Sequence, residues 1–402
     1  MRCLLINQTF PPDVMATGQY LGEVAAQLTE RGHAVTVVTG RRAYDEPEKL
    51  FPAKETWRGA TILRVSSTGL GKKAKWRRAA DFASFILACC WRLLFVPRPA
   101  VVVALTSPPL IAFIGAVYAR LRGARFVYWV MDLNPDEAIA AGWLKEASPA
   151  GRVLKWMSHF SFRHSTGIIA LDRFMRDRIT AQGVPAEKIH VVPPWSLDAN
   201  VHYDAAGREE FRAARGLADK FVVMYSGNHS PCHPLDTLLA AARELASEPR
   251  FAFLFIGGGS EFKHVQRFAA EHRLENIRCE TYRPLSELSA SLSAADLHLV
   301  VMGNPFVGLV HPCKIYNMLR VQAPVLYLGP DESHVTELMR NEAPQNFFAQ
   351  SRHGDAAAVA RAIRSAAATR RASDANLPAS FDEFSQARLL PKLVRIIEGQ
   401  PE

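Results

Sequence analysis

Residues 221–260 read FVVMYSGNHS PCHPLDTLLA AARELASEPR FAFLFIGGGS and contain one complete strand-helix-strand unit. Two apolar runs, Phe221–Ser226 and Phe251–Ile256, flank a stretch with helical periodicity from about Pro234 to Ala246. Strands of this kind that alternate with helices predict a parallel sheet with crossover helices on its faces. The unit therefore predicts a doubly wound α/β domain.

The same alternation continues on both sides of this unit. After it we expect strands at Ile277–Thr281, Leu297–Val301 and Val325–Leu328, with helices near Glu261–His272 and from Pro312. Before it the predicted strands are Cys3–Ile6, Ala34–Thr39, Ile62–Ser66, Val101–Thr106, Phe126–Met131, Gly167–Ala170 and Ile189–Val192. The sequence thus predicts two doubly wound domains in tandem.

Breaks in the pattern give the domain boundaries. Pro193-Pro194 and the polar stretch after it end the first domain, which we predict over 1–195, with the second over 196–375. Residues 376–402 are predicted to return to the first domain through an amphipathic helix within Phe384–Glu398, broken or kinked at Pro391. Two such sheets are expected to face each other across a cleft, where ligands of parallel sheets bind.

Composition supports a globular protein with anionic partners. Hydrophobic residues make up 49% and charged residues 22% of the 402 residues, which excludes a disordered or fibrous chain. Lys and Arg outnumber Asp and Glu by 48 to 39, a net charge of +9 that favours phosphates, nucleic acid or acidic lipid. Six scattered cysteines indicate a reducing compartment, and the apolar run Phe82–Val96 is too short to span a membrane.

Glycines close several predicted strands. Gly18 follows the first strand and a Pro-rich loop, Gly227 follows the strand at 221, and Gly257, Gly258 and Gly259 follow the next one. Backbone at such turns can approach a phosphate, a base or a sugar, but ordinary strand-to-helix turns use glycine as well. From spacing alone both interpretations stay open.

The stretch Asn304–Leu319 carries the strongest indication of an anion site. Pro312 suits a first helical position, so that free amides and the helix dipole would favour an anion, with Lys314 just inside the helix. The alternative for Lys314 is an ordinary solvated lysine. His229, Cys232 and His233 match no zinc spacing, so we expect them to line a ligand site without a metal.

Two further groups of residues have both a functional and a structural interpretation. Asp132, Asp136 and Glu137 follow a predicted strand, where they suit either acid-base chemistry or a helix start, with capping by Asp132 or Asn134 and acidic charge in the first turn. A basic segment beside the apolar run suits either an anionic lipid surface or a solvated helix entry, and comprises Lys72, Lys73, Lys75, Trp76, Arg77 and Arg78. No recognised nucleic-acid motif accompanies it.

Taken together, these motifs resemble family-4-type glycosyltransferases of the GT-B fold, especially members that assemble bacterial polysaccharides. The residues that carry the resemblance include Phe10-Pro11-Pro12-Asp13, Asp132–Asp136, Tyr225–Asn228, Phe255–Gly259 and His311–Lys314. The resemblance implies a nucleotide-sugar donor held mainly by the second domain, an acceptor held by the first, and transfer with retention of configuration. It also implies that no metal and no cofactor takes part.

The resemblance has departures at the donor site. Many members have an Arg and a Lys at the places of Asn228 and His233, and two Glu at the places of Leu309 and Asn317. Pro312-Cys313-Lys314 nearly matches a Pro-Ser-Lys motif of a related subgroup, so the resemblance gives Lys314 the strongest claim to a phosphate. We further expect Tyr282, Asn317 and the backbone of Leu309 and Val310 to contact the donor.

The sequence therefore predicts a cytoplasmic glycosyltransferase, peripheral at the inner face of the plasma membrane, with a lipid-linked or saccharide acceptor. Lys314 and His233 are the candidates for holding the departing diphosphate, and Asp132 is the candidate for orienting the acceptor or sugar. A nucleotide-sugar epimerase of the same fold and a non-catalytic nucleotide-sugar-binding scaffold are the alternatives.

Overall fold

A computed structural model describes residues 1–13, 15–43, 46, 48–71, 75–195, 201–341, 344, 346–369 and 384–400. The chain divides into two compact units. Unit 1 comprises Met1–Leu197, Gly308–His311 and Gln386–Glu402, and unit 2 comprises Asp198–Val307 and Pro312–Ser385. The boundaries predicted at 195 and 375 stay predictions, and they did not anticipate that Gly308–His311 would group with unit 1.

Unit 1 is built on one eight-stranded sheet. Its strands are β1 (Arg2–Ile6), β2 (Ala34–Gly40), β3 (Lys54–Trp57), β4 (Ala60–Val65), β5 (Val101–Ala104), β6 (Arg125–Trp129), β7 (Gly167–Ala170) and β8 (Ile189–Val191). Their order is β3-β4-β2-β1-β5-β6-β7-β8, with β3 antiparallel to β4 and the other pairs parallel. The chain therefore starts inside the sheet and adds strands on both sides of β1.

Helices cover this sheet because its central strands are apolar on both faces. The helices are α1 (Ala16–Glu30), α2 (Lys75–Leu93), α3 (Ile111–Arg122), α4 (Asp136–Ala140), α5 (Pro149–His164) and α6 (Arg173–Thr180). All four residues of β5 and of β7 are buried, as is usual for parallel strands covered on both sides. Contacts place α2, α3 and α5 side by side in this order.

Unit 2 contains a six-stranded parallel sheet. Its strands are β9 (Phe221–Asn228), β10 (Phe251–Gly258), β11 (Ile277–Glu280), β12 (Leu297–Val301), β13 (Val325–Leu328) and β14 (Phe347–Ser351), in the order β11-β10-β9-β12-β13-β14. Its helices are α7 (Ala205–Ala213), α8 (Asp236–Glu244), α9 (Phe262–Glu271), α10 (Leu288–Ser293), α11 (Lys314–Arg320), α12 (His334–Asn341) and α13 (Ala356–Ala368).

Alternate residues of β9 belong to two separate hydrophobic cores of unit 2. Val223 and Tyr225 join one buried cluster, whereas Val222 and Met224 join the other. Because successive side chains of a strand point to opposite faces, one core lies on each side of the sheet. The two units together confirm the predicted α/β class with two doubly wound domains.

The last helix, α14 (Gln386–Glu398), packs on unit 1, as the sequence predicted. It contacts α1, β5 and β7, and buries Leu389, Leu390, Leu393, Val394, Ile396 and Ile397. The helix continues through Pro391 instead of breaking there. A proline in this position removes one backbone hydrogen bond, and the burial of the apolar face outweighs that loss.

Several elements were not predicted. The stretch 356–375 is rich in Ala and Arg and contains α13, because alanine is the strongest helix former and Asp355 caps the helix by accepting from Ala358 N–H. Helix α5 and strand β14 were missed as well. Among the described residues, none of the helices combines the length and the apolar character needed to cross a membrane.

A polar clamp holds the end of α14 to unit 1. The Arg31 guanidinium donates two hydrogen bonds of 2.8 Å to the Glu398 carboxylate, and His33 Nε2 lies 2.7 Å from Glu398 Oε1. These bonds, first of all that from Arg31, lower the pKa of Glu398. The clamp therefore favours the ionised carboxylate.

Glu398→Gln should lower the melting temperature of unit 1 by about 2–4 °C at neutral pH, the usual effect of losing one hydrogen-bonded pair in a domain of this size. Because folding lowers the pKa of Glu398, the stabilisation is present above the ordinary carboxyl pKa and is lost as the pH falls through the lowered value. Thermal denaturation across pH measures this. Exposed Glu187→Gln is the control, and equal effects of both changes would contradict the clamp.

Candidate functional site

Two glycine turns lie side by side at the carboxyl end of the unit 2 sheet. Gly227 pairs with Gly257 across β9 and β10, and both have left-handed backbone, with φ of +133° and +140°. A Cβ on Gly257 would collide with the Gly227 carbonyl oxygen, so glycine is required for this close approach. The turns bring bare backbone to the end of the sheet where ligands of parallel sheets bind.

Lys314 reaches this turn from the first residue of α11. A Cβ on Gly227 would lie 3.3 Å from Lys314 Nζ, and Nζ lies 3.6 Å from the centroid of the Tyr225 ring. The ammonium is buried and has no hydrogen-bond partner within the part of the chain that the structure describes. Burial lowers the pKa of Lys314 to about 7. The solvated-lysine alternative is therefore wrong.

A buried ammonium that lacks a counter-ion is expected to bind an anion. A charged group that loses its hydration is destabilised unless an opposite charge compensates for the lost water. The face of an aromatic ring compensates for only part of that loss. A phosphate beside Lys314 would supply that charge and raise the pKa of the lysine. Helix α11 begins at Lys314, two residues later than the predicted start at Pro312, so the lysine itself lies in the first turn.

Two neutral histidines lie near Lys314. Burial and the Lys314 charge lower the pKa of His229 to about 4 and that of His233 to about 3. His233 Nδ1 lies 2.6 Å from the Val301 carbonyl oxygen, and His229 Nδ1 lies 3.0 Å from the Gly227 carbonyl oxygen. A carbonyl only accepts, so each Nδ1 donates and each Nε2 carries a lone pair. In this tautomer His233 can accept from a sugar hydroxyl but cannot donate to a diphosphate.

The other predicted donor residues of unit 2 surround the same turns. Asn228 ends β9 and is exposed, and a Cβ on Gly259 would lie 2.5 Å from its Oδ1. The half-exposed Tyr282 ring packs against Gly258, where a Cβ would come within 3.1 Å of it. Asn317 lies one turn after Lys314 on α11. The structure thus brings these residues together with Lys314, while their roles stay predictions.

In unit 1, Asp132 follows β6 and precedes α4. Burial, and next the nearby Glu137 charge, raise the pKa of Asp132 to about 8. The carboxyl group therefore keeps its proton to a higher pH than an ordinary aspartic acid does, and in the protonated form it can donate a hydrogen bond. Capping by Asp132 or Asn134 is wrong, because Pro135 is the N-cap residue of α4 and makes no side-chain cap, but the acidic charge expected in the first turn is present at Asp136 and Glu137.

The segment Gly308–His311 lies beside this loop of unit 1. Leu133 N–H donates to the Leu309 carbonyl over 2.8 Å, and His311 Nδ1 lies 2.7 Å from Asp172 Oδ2 in a buried pair. Gly308 has φ of +74°, and a Cβ there would lie 2.6 Å from the Phe174 carbonyl oxygen. These contacts explain why Leu309 and the buried Val310, predicted as donor residues, group with unit 1.

The remaining predicted residues of unit 1 have mixed outcomes. Gly18 lies in the first turn of α1, where a Cβ would come within 3.0 Å of Phe10 N, so glycine lets the helix pack on the Pro-rich loop. Lys72 and Lys73 lie outside the described residues, as do the side chains of Lys75, Trp76 and Arg78. Arg77 lies on α2 and is partly exposed.

Known proteins match both the sequence and the structure. Residues 16–195 match a family model described as a glycosyl transferase 4-like domain. WcaI of Escherichia coli strain K12, assigned to glycosyl transfer in colanic acid biosynthesis, is 26% identical over 80% of this chain and 81% of its own length. WbjE of Pseudomonas aeruginosa, assigned as a glycosyltransferase, is 25% identical over 84% of this chain and 83% of its own length.

A solved structure shows the same fold. HepE of Anabaena, in complex with UDP and glucose, has a TM-score of 0.70 and 15% identity, and the match covers 99% of this chain and 100% of that one. This likeness confirms the GT-B fold class. The family model and the two sequence relatives confirm the predicted resemblance to family-4-type glycosyltransferases.

Lys314→Met should raise the melting temperature of unit 2 at about pH 6, because it removes a buried, unpaired charge and keeps a side chain of similar length. The folded-state pKa of about 7 lies below the ordinary value of 10.5. Between these two pH values the unfolded chain binds more protons than the folded one, so the stability of the wild type rises with pH. The difference in melting temperature between Lys314→Met and the wild type therefore becomes smaller as the pH rises. Exposed Lys263→Met is the control. A lower melting temperature for Lys314→Met would show that the ammonium is already compensated.

Proposed function

We propose that this chain, which is a glycosyltransferase of the family-4 type, transfers a hexosyl group from a nucleotide diphosphate sugar with retention of configuration. The acceptor is lipid-linked or a saccharide, and no metal takes part. The reaction serves the synthesis of a cell-surface polysaccharide, which the colanic acid assignment of WcaI supports. The buried, unpaired ammonium of Lys314 is the observation that carries the proposal.

Lys314 acts on the leaving group. As the bond from the sugar to the diphosphate breaks, negative charge grows on the diphosphate, and a fixed cation in a site without water stabilises it most at that point. A phosphate bound at the bare backbone of Gly227 would lie beside Lys314, whose Nζ is 3.3 Å from the place that a Cβ of Gly227 would take. The UDP and glucose bound by HepE support a nucleotide diphosphate sugar as the donor here.

Two neutral side chains provide the remaining polar contacts. His233 Nε2 accepts a hydrogen bond from a hydroxyl of the donor sugar, which fixes the orientation of the ring rather than neutralising the diphosphate. Asp132, whose pKa is raised by burial and by the Glu137 charge, donates in its protonated form to an oxygen of the acceptor or sugar. The ionised form accepts instead, so acceptor binding should change when Asp132 loses its proton.

The protein works in the cytoplasm at the inner face of the plasma membrane. Helix α2 supports this placement, because four large apolar side chains, all more than 60% exposed, follow one another on or just after its last turns, at Leu87, Trp91, Leu94 and Phe95. An exposed apolar stripe of this kind is typical of helices that lie in the membrane interface.

An epimerase of the same fold is the second candidate. It is favoured by one observation, the closeness of Asp132 and Glu137, since an epimerase needs an acid and a base and the charge of Glu137 raises the pKa of Asp132. Product analysis separates the two reactions, because a transferase yields a glycoside and an epimerase a free nucleotide sugar. NMR of the glycoside then shows whether the anomeric configuration is retained.

Lys314→Ala should lower kcat/KM by roughly 10²–10³, or about 2.7–4 kcal/mol, the usual loss when one preorganised electrostatic group is removed. Lys314→Arg should recover part of this loss, because a guanidinium differs from an ammonium in reach and shape. His233→Ala should cost less, because it removes a neutral acceptor. Steady-state kinetics with each variant test this. If Lys314→Ala keeps the wild-type kcat/KM, the donor site does not lie at this turn.

Turnover should persist in EDTA, because Lys314 supplies the charge that a divalent cation would otherwise place against the diphosphate. The measurement is product formation by chelated and dialysed protein, with and without added Mg²⁺ or Mn²⁺. Full loss of turnover that one of these ions restores would contradict metal-independent transfer.

A further inference from the structure

Unit 1 contains an apolar cavity of about 170 Å³ that neither the candidate site nor the proposed chemistry uses. It lies among α3, α4 and α5, and its wall is formed largely by Leu110, Phe113, Trp143, Leu144, Leu154 and Met157. Sites that enclose a whole small molecule usually measure about 300–1,000 Å³. This cavity is therefore suited to one apolar part of a larger ligand and not to a hydrophilic sugar.

The cavity adjoins the loop that carries Asp132. Asn134 and Pro135, two and three residues further along, form part of its wall. Tyr128 of β6, the strand that leads into this loop, lines it too. A ligand that fills the cavity thus lies beside the loop that carries Asp132, the acid to which we assign contact with the acceptor or sugar.

Two hydroxyl groups line the cavity and could donate hydrogen bonds to a polar atom of a ligand. Thr106 Oγ1 and Ser158 Oγ are buried, and neither has a hydrogen-bond partner among the residues described. Leaving a buried donor unpaired is unfavourable, and an ester or phosphate oxygen would accept from it. The lining is thus complementary to an amphiphile, with mostly apolar surface and a few donors.

The outer face of α5, above the cavity, has the character of a membrane-interface helix. Val153 and Trp156 are 55% and 59% exposed, and Trp143 at the cavity is 52% exposed. The same exposed face of α5 carries Arg152 and Arg163, and the helix has no acidic residue. Tryptophan and basic residues together favour the boundary between anionic headgroups and acyl chains.

We propose that this cavity binds the hydrocarbon chain of a lipid-linked acceptor, which enters from a membrane that contacts the outer face of α5. The proposal rests on the proposed function and selects the lipid-linked acceptor from its two alternatives. The hydrocarbon chain of the acceptor lies among the apolar side chains of α3 and α5, and Thr106 and Ser158 donate to oxygens near the polar end of this lipid. The sugar-accepting end then lies toward the Asp132 loop.

Calorimetric titration of the full chain with farnesyl phosphate and with decyl phosphate tests the binding directly, without turnover. Both probes should bind, and the tighter one indicates an isoprenoid or a straight-chain lipid. Glycerol 3-phosphate, which has the phosphate without the chain, should bind at least tenfold more weakly. Equal binding of glycerol 3-phosphate, or no binding of either chain, would overturn the proposal.

Filling the cavity should remove this affinity. Ala138→Phe places a ring in the cavity wall and should weaken farnesyl phosphate binding at least tenfold, whereas His159→Phe, on the exposed face of α5 outside the cavity, should leave it unchanged. Unchanged melting temperatures show that both variants fold, and Leu154→Trp replaces Ala138→Phe if that variant does not. Wild-type affinity in the filled variant would overturn the proposal.

Tryptophan fluorescence gives an independent reading of the same site. Farnesyl phosphate should shift the emission of the wild-type protein, and Trp143→Phe should remove most of that shift, while Trp91→Phe on α2 should retain it. A shift that depends on Trp91 and not on Trp143 would place the lipid on the outer face of α2 and overturn the cavity as its site.

Kinetics separate this inference from the proposed function. Ala138→Phe should raise KM for a farnesyl-linked sugar acceptor at least tenfold and leave KM for the free saccharide and for the donor unchanged. If the chain transfers no sugar but binds farnesyl phosphate in the cavity, the proposed function fails and the cavity assignment stands. If transfer occurs and Ala138→Phe leaves the lipid KM unchanged, the cavity assignment fails alone.

Discussion

In each unit the first strand lies inside the sheet, and the later strands are added on both of its sides. β1 lies between β2 and β5 in unit 1, and β9 lies between β10 and β12 in unit 2. At such a reversal of strand order the following loops diverge and leave a crevice at the carboxyl ends of the strands. The glycine turns and Lys314 lie at this end of the unit 2 sheet, and Asp132 follows a strand one position beyond β5. The topology thus determines where ligand-binding residues can be placed, before any side chain is chosen.

The site around Lys314 combines a buried charge, which is unfavourable without a counter-ion, with surroundings that hold it in place. Tyr225 is fully buried between strands of unit 2, and its ring holds the Lys314 ammonium against bare backbone at Gly227. Folding of the sheet therefore forces the lysine out of water, and under the proposed function the free energy that this costs is recovered when a phosphate binds. The ammonium is already held in place, so it can stabilise charge in the transition state without any rearrangement of the protein. A solvated lysine in the same place would bind the diphosphate more weakly and more uniformly.

Sequence patterns predicted the architecture better than the details of the site. The strands at Leu297–Val301 and Val325–Leu328 coincide with the predicted ones, because strands buried on both faces form continuous apolar runs. Helix α5 was missed although Ser148-Pro149 is a typical helix start, and the structure shows Ser148 capping Gly151 N–H. The burial of Lys314 depends on Tyr225, far from it in sequence, so no local pattern reveals it. The same holds for the grouping of Leu309 with unit 1.

The chain composes unit 1 from three separate segments, and this affects its biosynthesis. Helix α14 leaves the ribosome only after all of unit 2, yet it covers β5 and β7 and bonds to Arg31, 367 residues earlier. During translation the nascent first sheet therefore waits with an apolar face uncovered while the second sheet forms. Such an interval exposes the nascent chain to chaperones and to aggregation, and slow delivery of the last helix would prolong it. A fragment that ends near residue 195 lacks α14 and leaves this apolar face exposed. Unit 1 therefore cannot complete its packing before the whole chain has been synthesised.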